Sequence, residues 1–192
     1  MDNNLIRTFL SVPLPIEVKS KKNMFYSTFN PLDAKINWIR SDNLHLTLKF
    51  IGYTPENSIE EIIQTLTDLF FKEDPFNLIV KNTGCFPVTE RPRVLWMGID
   101  GNIKQLADMV LRIENSLGKI GFSKEKKAYH PHITIARIKY PQKKTPNVDL
   151  FLKSTYDPID FMVDRVQFLS SELLETGTVY SLLKSFPLGE SI

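Results

Sequence analysis

The chain has 192 residues, of which 42% are hydrophobic and 24% are charged, a composition typical of a globular protein with a sizeable core. The formal net charge is only +2, which is too small to argue for nonspecific binding to long nucleic acid. The single cysteine, Cys85, excludes an intrachain disulfide, and no segment has the pattern of a secretory signal or a membrane span, so we expect a cytoplasmic protein.

Hydrophobic periodicity divides the chain into strands, where apolar and polar residues alternate, and helices, where apolar residues recur every three or four positions. In chain order the predicted elements are a strand over 7–12, a helix over 16–29, strands over 36–40 and 45–52, a helix over 59–71, strands over 76–86 and 94–99, a helix over 102–120, a strand starting at 132, a short helix over 148–154, and strands over 161–169 and 178–186. The last two strands flank Glu175-Thr176-Gly177, which is typical of a hairpin. This order indicates an α+β fold, and the absence of a Gly- or Ser-rich linker argues against separable domains.

The strongest signal is a repeated His-x-Thr spacing. Two of the three histidines occur in it, as His45-Leu46-Thr47 and His132-Ile133-Thr134. Because side chains at i and i+2 of a strand leave the same face, each histidine should point with its threonine. The repeat also indicates a diverged duplication of one α+β unit.

Two histidines facing a common cleft provide an acid and a base near neutral pH. Cleavage of a phosphodiester requires both roles, because one imidazole removes a proton from the attacking oxygen while the other protonates the departing oxygen. The hydroxyls of Thr47 and Thr134 can donate hydrogen bonds to the nonbridging phosphoryl oxygens, which carry the negative charge. The two pairs therefore predict a phosphoesterase site.

The histidines also allow two other interpretations. A lone histidine on a strand is usually exposed or has its hydrogen bonds made within the protein, and threonine is common in strands for steric reasons. Two copies of the motif nevertheless favour a catalytic site. His130 and His132 resemble half of a zinc site; however, zinc requires three or four ligands, and no Asp-rich or Cys-rich motif accompanies them. We therefore expect His130 to be structural and the site to hold no metal.

The segments 45–50 (HLTLKF) and 131–137 (PHITIAR) resemble the paired signatures of the 2H phosphoesterase superfamily. The nearest branch is the bacterial and archaeal RNA 2′,3′-cyclic phosphodiesterase, historically described as a 2′-5′ RNA ligase. Asn43-Leu44 before the first signature, Gly52 after it and the intervening segment 91–96 (RPRVLW) agree with this branch. The similarity covers nearly the whole chain in order and spacing.

The resemblance implies a bilobal α+β fold in which two antiparallel β-sheets line a central groove, with helices on the outside. Each lobe of this pseudo-duplicated fold would supply one His-x-Thr pair, and residues 1–192 would form a single domain of two lobes. The implied reaction is metal-independent hydrolysis of a 2′,3′-cyclic phosphate to a 2′-phosphate, without a cofactor. The implied partners are RNA ends or nucleotides that carry this cyclic phosphate, with no obligate protein partner and no membrane.

The resemblance also implies individual roles. His45 would protonate the leaving oxygen, His132 would activate water, and Thr47 and Thr134 would bind the phosphate. Arg137 belongs to the signature as a phosphate or substrate contact.

Strict strand alternation makes predictions for other residues of these segments. It places Arg137 opposite the histidine and threonine of its own motif, so the strand must end, twist or bulge after Ile135 for Arg137 to reach the groove. We expect Phe50 to be a core residue before a base-stacking platform, Lys49 to be solvated, and Trp96 to lie in the core.

The two histidines and two threonines of the His-x-Thr motifs are also compatible with other functions. They include a related activity on 2′-5′ linkages (ligation or cleavage), an activity on small cyclic nucleotides, and a non-catalytic module that binds RNA ends. Arginine or lysine would serve a purely binding site better than histidine, which favours an enzyme.

Overall fold

A computed structural model describes residues 4–29, 35–175 and 177–189. The strands are β1 (Leu5–Pro13), β2 (Ile36–Trp38), β3 (His45–Pro55), β4 (Phe76–Phe86), β5 (Val94–Gly101), β6 (His132–Ile138), β7 (Ile159–Val163), β8 (Arg165–Leu174) and β9 (Gly177–Pro187). The α-helices are α1 (Ile16–Lys21), α2 (Ile59–Phe70), α3 (Ile103–Lys119) and α4 (Asp149–Leu152), and 3₁₀ helices span Lys22–Thr28, Ser41–Asn43 and Glu56–Ser58. Every helix in these ranges is too short or too polar to cross a lipid bilayer.

The strands form two antiparallel sheets. One sheet has the order β3-β1-β8-β9 and the other has the order β2-β6-β5-β4-β7. Each sheet contains one His-x-Thr strand, which begins at His45 in β3 and at His132 in β6. The α+β fold with two antiparallel sheets is therefore confirmed.

One hydrophobic cluster joins both sheets to the long helices. Leu46 of β3 and Ile133 of β6, the residues between each histidine and its threonine, are fully buried in it. Leu66 of α2 and Ile113 of α3 are also fully buried in this cluster. The inward residue of each His-x-Thr motif therefore anchors its strand to the core, which leaves the histidine and the threonine on the other face.

Two predicted elements differ from the structure. The strand predicted over 161–169 is two strands, because the chain leaves the five-stranded sheet after β7 and enters the four-stranded sheet as β8. The helix predicted over 16–29 tightens into a 3₁₀ helix at Lys22, whose buried amine donates a 2.5 Å hydrogen bond to the carbonyl oxygen of Ile39. The hairpin between β8 and β9 is confirmed, with Leu174 paired to Gly177; Thr176 of its turn lies outside the described residues.

β3 contains a bulge at Leu48, directly after the threonine of the first motif. Neighbouring residues of β1 pair with Thr47 and Lys49, which leaves Leu48 without a partner. Because one extra residue reverses the alternation, Lys49 is buried whereas Phe50 is 63% exposed and returns to the face of His45. The predictions of a solvated Lys49 and of a core Phe50 were therefore wrong.

β6 contains the corresponding bulge at Ile135. Neighbouring residues of β5 pair with Thr134 and Ala136, so Ile135 is the extra residue. Ile135 and Ala136 are consecutive buried residues, and Arg137 is exposed on the face of His132. Both motifs thus have the same burial pattern over the six residues that start at the histidine, and Phe50 and Arg137 occupy equivalent positions.

Lys49 makes a buried ion pair that connects β3 to α3. Its Nζ lies 2.7 Å from Oε2 of Glu114 and donates to the carbonyl oxygen of Ser123 at 2.9 Å. The same Glu114 oxygen accepts the backbone N–H of Glu125 at 3.1 Å. This pair therefore fixes the first motif to the segment that leads into the second.

We predict that Lys49→Met lowers the free energy of unfolding by about 3–5 kcal/mol, because it leaves the Glu114 carboxylate buried without its partner. Urea denaturation followed by circular dichroism measures this change. The double variant Lys49→Met/Glu114→Leu should recover most of the loss, because no unpaired charge remains buried. Equal stability of Lys49→Met and the wild type would contradict a structural role for the pair.

Candidate active site

His45 is held on two sides. Its Nδ1 lies 2.8 Å from the carbonyl oxygen of Asn43; because a carbonyl only accepts, Nδ1 carries the hydrogen and Nε2 is left free. The side-chain amide of Asn43 donates to the carbonyl oxygen of Thr178 at 2.8 Å. The rings of Phe9 and Tyr180 lie 4.9 and 5.4 Å from the imidazole. The ring orientation of His45 is therefore fixed by β1 and β9 as well as by its own strand.

His132 has the same arrangement in the other sheet. Its Nδ1 lies 2.7 Å from the carbonyl oxygen of His130, again two residues earlier in the chain, so its Nε2 is also free. The ring of Phe86 packs edge-on at 5.1 Å, and the ring of Trp96 lies 6.3 Å away. Each imidazole thus presents Nε2 from a backbone-anchored ring among aromatic neighbours.

Arg137 brings the two histidines into one electrostatic environment. Burial lowers the pKa of His45, the hydrogen bond to Asn43 partly opposes this effect, and the positive charge of Arg137 lowers the pKa further. Burial also lowers the pKa of His132; the carbonyl of His130 opposes it, and the charges of His130 and Arg137 add to it. The charge of one guanidinium therefore acts on both rings, and β3 contacts β6.

The remaining site residues from the sequence lie on these same faces. Thr47 and Thr134 are half-buried, each two positions after its histidine. Arg137 is exposed. Within the described ranges, no carboxylate oxygen lies within 4.0 Å of its guanidinium nitrogens, so it forms no ion pair there. Two hydroxyl donors and a guanidinium charge thus accompany the two free Nε2 atoms.

Tyr129 connects the two motifs directly and was missed in the sequence. Its hydroxyl donates to the backbone carbonyl oxygen of Thr47 at 2.9 Å, and burial raises its pKa, so the hydroxyl stays protonated. β3 is an edge strand of its sheet, so this carbonyl has no strand partner on that side. Tyr129 stands three residues before His132, which makes the bond a tie between the first threonine and the second histidine. No spacing rule relates these positions.

The aromatic neighbours of the histidines were also not predicted as site residues. Phe9 and Tyr180 come from strands far from the first motif in sequence, and only the sheet order brings them to His45. Trp96 was predicted to lie in the core. This prediction was wrong, because Trp96 is half-buried and pairs with Thr134, on the face that carries His132.

Neither a metal site nor a cysteine nucleophile is indicated by the described residues. Within the described ranges no three His, Cys, Asp or Glu side chains are grouped so that they could hold a metal ion. Burial raises the pKa of the half-buried Cys85, and the charge of Glu90 adds to the effect, which makes this thiol a poor nucleophile.

Two antiparallel sheets that each contain one His-x-Thr strand define a class of protein, and the comparison with known families agrees. Residues 35–174 match the 2′-5′ RNA ligase superfamily, and the chain belongs to this family. The resemblance that the two signatures predicted is therefore confirmed.

Several relatives cover most of the chain. A protein of Aquifex aeolicus is 34% identical over 161 residues, which is 82% of this chain and 86% of the relative. A protein of Thermotoga maritima is 34% identical over 178 residues, 93% of each chain. Both are named RNA 2′,3′-cyclic phosphodiesterase.

Solved structures share the fold. The crystal structure of TT0787 of Thermus thermophilus has a TM-score of 0.81 and 26% identity, covering 97% of this chain and all of that one. The crystal structure of E. coli LigT complexed with 3′-AMP has a TM-score of 0.77 and 21% identity, covering 97% of this chain and 99% of that one.

We predict that Arg137→Gln raises the pKa of both His45 and His132, because it removes one positive charge that acts on both. NMR titration of the imidazole C–H signals measures the change. The control is Arg93→Gln, which removes an exposed arginine directly before β5. In the wild type both values should lie below the ordinary 6.5. A rise at only one histidine would contradict the shared environment.

The same titration has a consequence for stability. Because both folded-state pKa values lie below the ordinary 6.5, the unfolded chain binds more protons at low pH. The stabilisation associated with the two neutral rings is therefore present above pH 6.5 and is lost as the pH falls below it.

We predict that Tyr129→Phe lowers kcat by roughly ten- to a hundredfold, because small displacements of reacting groups are costly, while stability falls by only about 1 kcal/mol. Tyr156→Phe is the matched control, since the Tyr156 hydroxyl also donates to a backbone carbonyl, that of Asn82, at 2.8 Å. The measurement is steady-state hydrolysis of a 2′,3′-cyclic nucleotide. An equal loss of kcat in both variants would contradict a specific tie between the motifs.

Proposed function

We propose that this chain hydrolyses the 2′,3′-cyclic phosphate at RNA ends to a 2′-phosphate. The observation that carries the proposal is the pair of imidazoles with free Nε2 atoms, from two different sheets, whose pKa values respond to the same guanidinium. The names of the relatives that cover most of the chain support the same substrate. RNA ends and nucleotides with this cyclic phosphate are the proposed partners.

The proton transfers follow from the two free nitrogens. His132 Nε2 removes a proton from water as the water oxygen attacks phosphorus. The bond from phosphorus to O3′ breaks, and His45, which starts protonated, gives its proton to O3′. The product keeps its phosphate on O2′, and exchange with solvent returns both imidazoles to their starting states. No cofactor takes part in these steps.

Thr47, Thr134 and Arg137 stabilise the charge on the phosphoryl group. The threonine hydroxyls donate to the nonbridging oxygens, and the guanidinium opposes the negative charge that these oxygens hold. In the free protein, burial and Arg137 keep both imidazoles predominantly neutral near pH 7. A bound anionic phosphate counteracts Arg137 and raises the pKa of the imidazoles, so His45 takes up its proton as the substrate binds.

The nucleoside part of the substrate has a candidate contact at Phe50. This ring is 63% exposed on the face of His45 and lies 6.1 Å from the ring of Phe9. An exposed aromatic ring beside a phosphate site is suited to stacking on a base. Structures of E. coli LigT complexed with 3′-AMP and with ATP support nucleotide binding in this fold.

Activity on 2′-5′ linkages is the second candidate, because the superfamily description includes 2′-5′ RNA ligation. The same four residues would serve ligation, cleavage of 2′-5′ bonds and hydrolysis of small cyclic nucleotides. A panel of defined substrates with product analysis separates these activities. A non-catalytic module that binds RNA ends would show affinity for cyclic-phosphate RNA without turnover.

We predict that His45→Ala and His132→Ala each lower the rate of cyclic phosphate hydrolysis by about 10²–10⁴-fold, because each removes one proton transfer. The rate of the double variant should be only slightly lower than that of the less active single variant, since both groups act in one step. Hydrolysis of RNA with a 2′,3′-cyclic end, followed by separation of the 2′- and 3′-phosphate products, is the measurement. Unfolding curves like that of the wild type serve as the control for folding.

Unchanged hydrolysis in either purified variant would remove the proposed mechanism. Activity should also survive EDTA, because both proton transfers are assigned to side chains. Loss of activity in EDTA that zinc restores would instead favour a metal at His130 and His132.

A further inference from the structure

A cavity of about 300 Å³ opens beside the second His-x-Thr motif. None of the five proposed site residues lines it. Its walls include Lys81, Trp96, Gly98, Asp100 and His130. The proposed reaction therefore leaves a sizeable space next to His132 without a role.

The floor of the cavity is Gly98 of β5. Gly98 pairs with His132 of β6 on one side and with Lys81 of β4 on the other. Directly opposed residues of paired strands share a face, so the cavity lies on the face of His132, one strand further along the sheet. A Cβ atom at position 98 would stand 2.7 Å from the carbonyl oxygen of Lys81. Because this oxygen belongs to the backbone of the neighbouring strand, a larger residue would collide with it, so the position requires glycine.

Trp96 forms an aromatic wall on one side of the floor. It precedes Gly98 by two positions and shares its face, and its indole crosses Gly84 on β4, where a Cβ atom would lie 2.1 Å from the ring. The ring of His130 lies 5.4 Å from the indole. The glycine at position 84 thus allows the indole to lie close to the sheet beside the cavity.

The opposite wall is an ion pair. Lys81 pairs with Asp100, which follows Gly98 by two positions on the same face. Lys81 is the only lysine or arginine among the described residues that line the cavity, and its charge is balanced by Asp100. The described lining therefore contains no unpaired lysine or arginine that could bind a phosphate. An aromatic wall, a flat floor and a polar rim instead suit an uncharged ring.

We propose that this cavity binds the nucleobase of a nucleoside joined to the reacting phosphate on the His132 side, an inference that rests on the proposed function. Water attacks from that side in hydrolysis, so a nucleoside there places its 5′-oxygen where the water stands. Attack by a 5′-hydroxyl forms the P–O5′ bond and breaks the P–O3′ bond, with His132 taking the hydroxyl proton and His45 giving one to O3′. This is the 2′-5′ chemistry of the second candidate activity, and the inference concerns the place of its second base: one base lies at Phe50 and the other in the cavity.

Equilibrium binding of a dinucleotide that cannot be cleaved tests this proposal. The probes are 3′-deoxyadenylyl-(2′-5′)-adenosine, the same molecule with an abasic second ribose, and 3′-deoxyadenosine 2′-phosphate. The complete dinucleotide should bind about tenfold more tightly than either of the others, because stacking of the second base adds to its affinity. Trp96→Leu should remove this advantage while leaving affinity for the mononucleotide, and Trp38→Phe should keep it.

Fluorescence gives a second readout, because Trp38 and Trp96 are the only tryptophans. In Trp38→Phe the remaining indole should respond to the complete dinucleotide and not to the abasic one. Gly84→Ala, which forces the indole out of place, should remove the affinity advantage without altering the Trp96 side chain itself.

Equal binding of the complete and abasic dinucleotides by the wild type would overturn the proposal, and this comparison needs no variant. A persisting advantage in Trp96→Leu, or an equal loss for mononucleotide and dinucleotide, would also overturn it. Failure of the wild type to hydrolyse cyclic-phosphate RNA would instead contradict the proposed function, while the difference between the two dinucleotides would still test the cavity.

Discussion

The contact between β3 and β6 is the constraint on which the site depends, because these strands belong to different sheets and no ladder of hydrogen bonds joins them. The Tyr129 hydroxyl bridges to the backbone of Thr47. The Lys49 amine binds both Glu114 and the carbonyl of Ser123, at the start of the segment that leads to β6. Both ties begin at the first motif and end on the chain just before the second. They are buried or half-buried, so solvent screens them little.

A bulge after each threonine gives both strands the same local design. It returns Phe50 to the face of His45, and Arg137 to the face of His132. One lobe thus adds an aromatic ring to its histidine and threonine, whereas the other adds a positive charge. The equivalent bulges support the duplication that the repeated motif indicates. The two halves then differ in the residue that recognises the substrate.

Much of the fold and the location of both motifs could be predicted from the sequence, because periodicity and the His-x-Thr spacing are local. β4 was predicted with its observed bounds, Phe76–Phe86. Lys49 and Phe50 were misplaced because a bulge leaves no local mark in composition, yet it reverses the side chains that directly follow it. Trp96 was misplaced because a strand of apolar residues need not be buried on both faces: Leu95 and Met97 are buried, whereas Trp96, on the other face, is half-buried. Tyr129 and Tyr180 reach the site through tertiary contacts, which periodicity does not contain.

The lowered pKa values of the two histidines connect the fold to the proposed chemistry. Burial and the charge of Arg137 both favour the neutral form of these half-buried rings, so an anionic substrate that opposes this charge would itself supply the charge state that catalysis needs. The central claim is that His45 and His132 act on one phosphorus atom. A crystal structure with bound adenosine 2′-phosphate tests it most directly. The phosphate should lie between the rings, with each Nε2 within about 3.2 Å of one of its oxygens. A phosphate that contacts only one imidazole, or neither, would contradict the claim.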